Sequence, residues 1–327
     1  MQAENLFKKG KGDKMVEKMR TRCLPSMTNG EVEKYLERND IIVVPIGVSE
    51  THGMYPLDCE YVMAEAYARL IAEQVDGLVL SNLVYFHPGA TQIGRGTVHM
   101  SMRDGFNYVT AIAESLLQQG FRRQIYIPGH EPISQFLLPM ITQFFDDNKV
   151  PLFYCDIMAY LQKKGLMEPF GARRNKPAKP ISDENGMGDH ARMIGAYKIC
   201  GRLDDFPTGA EVNDERYVRG SYEKCEADIA LERLLEDKTT LISVSPAFYY
   251  TDVAQHGSHK IPETREEILH EAEVGEAYLR NQIANCDFVS KMEDLKVIDR
   301  HMNSTIMELH GDKLPRNKWS PNTVKEV

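Results

Sequence analysis

Apolar runs alternate with segments of helical periodicity along the first half of the chain. Short runs rich in β-branched residues predict buried strands at IIVVPIG, GLVLSNLVYF, RRQIYIPGH and VPLFYCDI. Segments with apolar side chains at helical spacing predict helices over residues 60–75, 104–120 and 133–148. A further helix is predicted in MTNGEVEKYLERND, with Thr28 or Asn29 as its N-cap. This alternation predicts an α/β fold with a largely parallel sheet covered by helices on both faces.

Helical patterns continue in the second half of the chain. HARMIGAYKICGRL predicts one helix and TREEILHEAEVGEAYLRNQIANC a long amphipathic one, while TTLISVSPAFYY predicts a late strand. Residues 164–189 are rich in Gly, Pro, Lys and Arg and too long for an ordinary connection, so they predict a functional or mobile loop. We expect one α/β domain over residues 27–295, with an N-terminal arm over 1–26 and a C-terminal tail over 296–327.

Composition and charge argue against some classes of protein function. The 327 residues are 42% hydrophobic and carry a formal net charge of −9. Such an acidic chain lacks the basic face that duplex nucleic acid requires, so we expect no nucleic-acid partner. It has neither an apolar run long enough for a membrane span nor an apolar signal core, so we expect a cytoplasmic protein without a membrane partner. The six cysteines are dispersed without a CxxC pair and predict ordinary thiols.

Residues with metal-binding side chains follow two of the predicted strands. Glu50 and His52 come after IIVVPIG and point to the same side of an extended chain, and His130 follows IYIPG behind Gly129. In parallel sheets, ligands bind at the carboxyl ends of the strands, where both segments lie. Glu60 is near enough in sequence to fold back as a further ligand. The sequence therefore predicts a site for Zn²⁺ or Mn²⁺, with one ion or with two that share a carboxylate.

The remaining polar residues give weaker signals. Glu50 and His52 alone could be a solvated strand end, and it is the Gly-flanked His130 and His190 that favour a metal site. The loop sequence ARRNKPAKP is either solvated or a lid that attracts an anionic substrate. Met54 and Tyr55 are expected to line the pocket. For the other histidines near strand ends or loops a structural or surface role is favoured; these are His87, His99, His256 and His259.

The ordered motifs resemble those of the creatininase (creatinine amidohydrolase) family. TNGEVEKYLERNDIIVVPIGVSETHG resembles the family's helix and strand that end in E-x-H-G, and PLDCEYVMAEAYA resembles its P-L-x-x-D segment. GRGTVHMS resembles its P-G-T-hydrophobic-S segment, and QQGFRRQIYIPGHE resembles the strand that ends in G-H. GDHARMIGAYKI and ETREEILHEAEVGEAYL resemble two later helices of the family. The resemblance covers about residues 27–290 in order.

The resemblance implies a three-layer α/β/α sandwich with a mostly parallel central sheet and a two-metal site. It also implies a homo-oligomer, a hexamer or another trimer-based assembly, and hydrolysis of a C–N bond. Carried over by position, Glu50 and His130 would bind one metal, His52 would bind the other, and Glu60 would bridge them. His190 would lie at the family's histidine beside the substrate.

The sequence departs from the family pattern at this site. Glu60 stands where the family has a bridging Asp, and Tyr55 stands where a second His is usual. The family's fifth ligand is a Glu, but Pro132 and Gly195 occupy its two positions here. The acidic residues that could substitute are Glu131, Glu184 and Asp189.

We therefore expect a metal-dependent hydrolase that cleaves a C–N bond in a small cyclic amide, amidine or formamide. His190, oriented by Asp189 or by a backbone group, would pass a proton to the leaving nitrogen. The residues assigned to catalysis are His190, Asp189 and Glu131, and those assigned to Zn²⁺ or Mn²⁺ are Glu50, His52, Glu60 and His130. Two alternatives stay open: a one-metal hydrolase, lyase or isomerase that acts on a ring or sugar-derived ketone, and a degenerate, non-catalytic scaffold subunit.

Overall fold

The computed structural model describes four stretches of the chain, residues 19–81, 83–168, 177–236 and 249–314. Most of the late strand expected within residues 239–250 lies outside these stretches. The same is true of three basic residues of the long loop, Arg173, Arg174 and Lys176. Within the described stretches, no helix has the length and apolar character needed to cross a bilayer.

A parallel sheet of four strands forms the centre of the described fold. In chain order the strands are β1 (Ile41–Ile46), β2 (Leu78–Val79), β3 (Arg123–Pro128) and β4 (Phe153–Tyr154). Their spatial order is β2-β1-β3-β4, and β1 pairs with β3 along its whole length, from Ile41 opposite Arg123 to Ile46 opposite Pro128. The segments that follow β1 and β3 therefore leave the sheet side by side.

The two edge strands are shorter than the sequence predicted. β2 keeps only two residues of GLVLSNLVYF. Beyond it, the amide of Leu80 donates to the carbonyl of Val43 at 2.9 Å and the amide of Gly47 donates to the carbonyl of Leu83 at 3.1 Å. An edge strand has one neighbour, so its backbone is free to turn away sooner than that of a central strand. The alternating VHMSM forms no strand, because the amides of Val98 and Met100 bond to loop carbonyls instead.

Helices cover both faces of the sheet, and several begin at side-chain caps. Thr28 and Glu31 form a capping box at the start of the first helix, and Ser101 accepts a hydrogen bond from the amide of Asp104. The helices of the described chain are α1 (Asn29–Leu36), α2 (Cys59–Val75), α3 (Met102–Gln118), α4 (Ile133–Asn148), α5 (Ile157–Lys163), α6 (Ala191–Ile199), α7 (Gly209–Val212), α8 (Glu226–Glu236), α9 (Arg265–Ala284), α10 (Phe288–His301) and α11 (Met307–His310).

Alternate side chains of β1 enter two different hydrophobic cores. Ile41 and Val43 pack with residues of α2, α6, α9 and α10, whereas Ile42 and Val44 pack with residues of α1, α3 and α4. This division follows from the two-residue period of a strand, which turns successive side chains to opposite faces. The structure therefore confirms the α/β/α sandwich with a parallel central sheet.

Helix α10 runs across the domain boundary expected at residue 295. Beyond that position Asp299 is still largely buried, and it accepts a hydrogen bond from Nη2 of Arg122 at 2.9 Å. This ion pair attaches the helix to the segment that precedes β3. The limits of the N-terminal arm and of the C-terminal tail stay a prediction.

Helices α6 and α9 cross at two glycines that leave no room for a side chain. A Cβ on Gly275 would lie 1.7 Å from the backbone oxygen of Ala191, and one on Gly195 would lie 2.3 Å from the backbone carbon of Gly275. The crossing is therefore a backbone contact. Because α6 begins directly after His190, the same contact fixes the position of that histidine.

Replacing Gly275 by Ala should lower the free energy of unfolding by about 3 kcal/mol, because the added methyl group forces α9 away from α6. Urea unfolding followed by circular dichroism measures the change. The matched control is Gly30→Ala in α1, where nothing lies within 4 Å of the added Cβ. We expect this control to be neutral or slightly stabilising, so equal stability of the two variants would contradict the proposed backbone contact.

Candidate metal centre

Two glycines let the ends of β1 and β3 approach the first turn of α2. A Cβ on Gly47 would lie 2.4 Å from the Cα of Tyr61, and one on Gly129 would lie 2.4 Å from the backbone oxygen of Glu60. Only glycine fits at such distances. The amide of Gly129 donates to the carbonyl of Ile46 at 2.8 Å, which extends the β1–β3 ladder up to the site.

The loop after β1 folds back and brings two carboxylates together. The amide of Glu50 donates to the carbonyl of Leu57 at 2.8 Å, and this bond returns the chain to the start of α2. Glu60 lies in the first turn of that helix, where the unpaired amides favour a negative charge. The Glu50 side chain is completely buried.

Three histidines surround these carboxylates. Nδ1 of His130 lies 2.5 Å from Oε2 of Glu60 and 3.3 Å from Oε1 of Glu50. Nδ1 of His52 lies 3.8 Å from the other oxygen of Glu60, Oε1. Nε2 of His256 lies 3.6 Å from Oε1 of Glu50, and the rings of His52 and His256 are 4.2 Å apart at their centroids. Ligand atoms of one set, Glu50, His52, Glu60 and His256, all lie within 4.8 Å of one another.

The polar atoms that face the middle of this cluster lack hydrogen-bond partners. Oε1 of Glu50, Nδ1 of His52 and Nε2 of His256 are buried, and none of them has a partner in the described part of the chain. An unpaired buried polar atom costs about 1–3 kcal/mol, so a cluster of them is unfavourable without a ligand. Nitrogen and carboxylate oxygen donors suit a divalent transition metal. The residues present therefore fit a metal ion.

Burial controls the protonation of the cluster. Burial, and then the charge of Glu60, raises the pKa of Glu50 to about 8, and burial raises the pKa of Glu60 to about 7. Burial lowers the pKa of His52, and it lowers that of His256 to about 4. The imidazoles are thus neutral and able to bind a metal, while the carboxyl groups hold protons that a cation would displace.

Thr91 fixes the orientation of Glu50. Its hydroxyl donates to Oε2 of Glu50 and also lies 2.8 Å from the carbonyl oxygen of Pro88. Because Oε2 is engaged in this way, Oε1 is the oxygen left to face the histidines. Thr91 itself is buried, so the contact is shielded from water.

The structure places His190 beside Tyr55 rather than inside the cluster. Nδ1 of His190 lies 2.6 Å from the Tyr55 hydroxyl, and Nε2 lies 2.9 Å from the carbonyl oxygen of Lys260. A backbone group therefore orients the ring. Asp189 accepts a hydrogen bond from the amide of Lys179 at 2.7 Å, which holds residues 177–189 against the start of α6.

Acidic residues that the sequence offered as a fifth ligand lie outside the cluster. Glu131 is exposed and directly follows His130 in sequence. The charge of Glu131 is close enough to raise the pKa values of both His130 and Glu60. Glu184 is exposed in a turn, and Asp189 is bound as described above.

His256 is the residue that sequence reasoning did not assign to the centre. The sequence favours a structural or surface role for His256. In the structure its ring lies in the cluster, although His256 is far from His52 in sequence. Asp252 and Gln255 form a capping box just before it, and a Cβ on Gly257 would lie 2.5 Å from the carbonyl oxygen of Tyr217. The glycine in QHGSH was the available signal, because it permits this close approach.

Comparisons with known proteins point to one family. The family profile described as creatininase, creatinine amidohydrolase, matches residues 25–194, which is more than half of the chain. A curated relative from Thermotoga maritima, 3-dehydro-scyllo-inosose hydrolase, is 25% identical over 138 residues. That match spans 41% of this chain and 44% of the relative's length.

Solved creatininase structures share the fold. A creatininase mutant described as a Zn-Zn type aligns with a TM-score of 0.51 at 16% identity, over 82% of this chain and 97% of its own. A creatininase structure described as a manganese form aligns with a TM-score of 0.50 at 17% identity, over 81% of this chain and 98% of its own. At such low identity the likeness shows the fold alone.

Loading the metal-free protein with Zn²⁺ at pH 7 should release about one to two protons per chain, because the raised pKa values of Glu50 and Glu60 leave both carboxyl groups partly protonated. Since the bound form needs ionised carboxylates, apparent affinity should fall as the pH drops through about 8 and then about 7, the pKa values of Glu50 and Glu60. Calorimetry in buffers of different ionisation enthalpy measures the release. The variant Glu60→Gln should release fewer protons, and proton-free binding by the unmodified protein would contradict these pKa shifts.

Proposed function

The chain belongs to the creatininase family, and on that premise we propose that it is a metal-dependent hydrolase of a C–N bond in a cyclic amide, amidine or formamide. The observation that carries the proposal is the set of buried, unpartnered ligand atoms that converge at the carboxyl end of β1 and β3. A small molecule is the substrate class that suits such an enclosed centre.

We assign Glu50, His52, Glu60 and His130 to the metal, as expected from the sequence, and add His256. The two oxygens of Glu60 face different histidines, Oε1 towards His52 and Oε2 towards His130. This arrangement supports two ion positions bridged by Glu60. Zn²⁺ and Mn²⁺ are the metals we propose, because both accept nitrogen and carboxylate ligands.

A divalent ion held by these residues supplies Lewis acidity and lowers the pKa of water. The chain's own groups orient the centre and handle protons. Thr91 holds Glu50 in place, and Asp189 holds the loop that leads to His190. We propose that His190 is the source of the proton that reaches the leaving nitrogen and that Glu131, beside His130, acts on the incoming substrate or water.

A second candidate is a one-metal enzyme that acts on a ring ketone. One set of four donors, Glu50, His52, Glu60 and His256, already surrounds a single point, and this supports one ion. The relative named 3-dehydro-scyllo-inosose hydrolase supports a ring ketone as the substrate class. Metal stoichiometry separates the two candidates, since about two equivalents per chain favour the first and about one favours the second.

We also propose a homo-oligomer, a hexamer or another trimer-based assembly, in the cytoplasm. The family relationship supports the assembly, and light scattering coupled to size-exclusion chromatography measures it.

Replacing His52, His130 or His256 by Ala should remove bound metal and lower turnover together by about 100-fold or more, because each removes a ligand. The measurements are elemental analysis after Zn²⁺ or Mn²⁺ loading and assays with creatinine, hydantoin, formanilide, p-nitroformanilide and 3-dehydro-scyllo-inosose. His301→Ala is the matched control, because His301 is exposed on α10.

The outcome of each variant bears on a separate assignment. A His130→Ala protein with full metal content and turnover would refute the role of His130. Wild-type protein that retains neither metal after loading would refute the proposed function.

A further inference from the structure

The phenol of Tyr55 stands between the metal centre and His190. Its ring centroid is 5.6 Å from that of His52 and 5.5 Å from that of His190. The backbone amide of Tyr55 donates to the carbonyl of His52 at 3.2 Å, so both residues lie in one tight turn. His190 is 1% exposed, whereas Tyr55 is only partly buried. The phenol is therefore nearer to the metal centre and more exposed than the imidazole.

The hydrogen bonds of His190 have defined directions. The carbonyl of Lys260 only accepts, so Nε2 of His190 carries the ring proton in their 2.9 Å bond. Burial lowers the pKa of His190 to about 4, so the ring is neutral near pH 7. Nδ1 is then an acceptor, and the Tyr55 hydroxyl donates to it at 2.6 Å. The phenol oxygen keeps its lone pairs for a group on the pocket side.

We propose that Tyr55 is the catalytic acid–base residue that touches the substrate, and that His190 is a positioning residue that acts through it. The inference rests on the proposed function, because it requires a hydrolytic reaction at the metal centre.

The proton transfers balance over the reaction. In the attack step, water gives a proton to the Tyr55 oxygen while the Tyr55 hydroxyl proton moves to Nδ1 of His190. The new O–C bond forms as the π pair of the attacked C=O or C=N bond moves onto its heteroatom. The resulting imidazolium keeps its Nε2–H bond to Lys260. In the second step the pair on the heteroatom re-forms the double bond and the C–N bond breaks. The leaving nitrogen takes a proton from Tyr55, and Tyr55 regains one from His190. No proton is gained or lost by the protein.

The first test is independent of activity. In protein labelled with ¹⁵N-histidine, the His190 ring should show a protonated Nε2 and a hydrogen-bonded Nδ1. Tyr55→Phe should move the Nδ1 resonance to the position of an unbonded nitrogen and leave Nε2 unchanged. Tyr85→Phe is the matched control, since Tyr85 is 51% exposed. An unchanged Nδ1 resonance in Tyr55→Phe would overturn the proposal.

The second test uses the Zn²⁺-loaded protein and two formamides. Tyr55→Phe should keep its metal and its KM, while kcat for formanilide falls by about 10²-fold or more. The loss should be smaller for p-nitroformanilide, whose leaving group needs less protonation. His190→Gln should show the same pattern, and the double variant should lose no more than either single one, because the two residues act as a unit.

The results separate this inference from the proposed function. Full kcat on both formamides in metal-loaded Tyr55→Phe refutes the catalytic role of Tyr55 and leaves the metal-dependent hydrolase intact. Equal losses on the two formamides also refute the acid–base role. Wild-type protein that binds no Zn²⁺ or Mn²⁺ refutes the proposed function, whereas the ¹⁵N signature still decides the Tyr55–His190 pair.

Discussion

The burial of one carboxylate beside a second, partly buried one at the carboxyl end of a parallel sheet is the constraint on which the rest of this structure depends. Glu50 is completely buried, and Glu60 faces it from the first turn of α2. Two such carboxylates repel each other and lose hydration, so without a cation their ionised forms are unfavourable. The imidazoles around them are held neutral by the same burial. The centre is therefore suited to a cation that several of these side chains bind together.

Close backbone contacts create this burial. Gly47 and Gly129 let two strand ends approach α2, and Gly257 lets the His256 segment approach the backbone near Tyr217. The crossing of α6 and α9 at Gly195 and Gly275 likewise fixes the backbone next to His190. In each case a missing Cβ brings main chains into contact, and at every one of these contacts except that of Gly47 a histidine is adjacent in sequence. These backbone contacts therefore help to set the positions of the side chains in the site.

The polar side chains of the site form two groups. Glu50, His52, Glu60, His130 and His256 offer atoms to a metal, whereas Tyr55 and His190 form a separate hydrogen-bonded pair anchored on the backbone. A single loop, residues 47–58, connects the two groups, since it carries both His52 and Tyr55. The positions of the His52 imidazole and the Tyr55 phenol therefore depend on the same loop.

The sequence by itself determined the sheet, most helices and the approach of Glu50 and His52 to His130, because strand periodicity and the parallel-sheet rule place strand ends at one edge. Glu60 was expected there because it lies only ten residues after Glu50 in sequence. Only the tertiary structure decided that His256 joins them and that His190 is shielded by Tyr55. His256 has no periodic pattern around it, and its contact with His52 depends on how distant segments pack. A local sequence pattern predicts on which face of its own helix or strand a residue lies. Contacts between distant segments depend instead on how the whole chain packs.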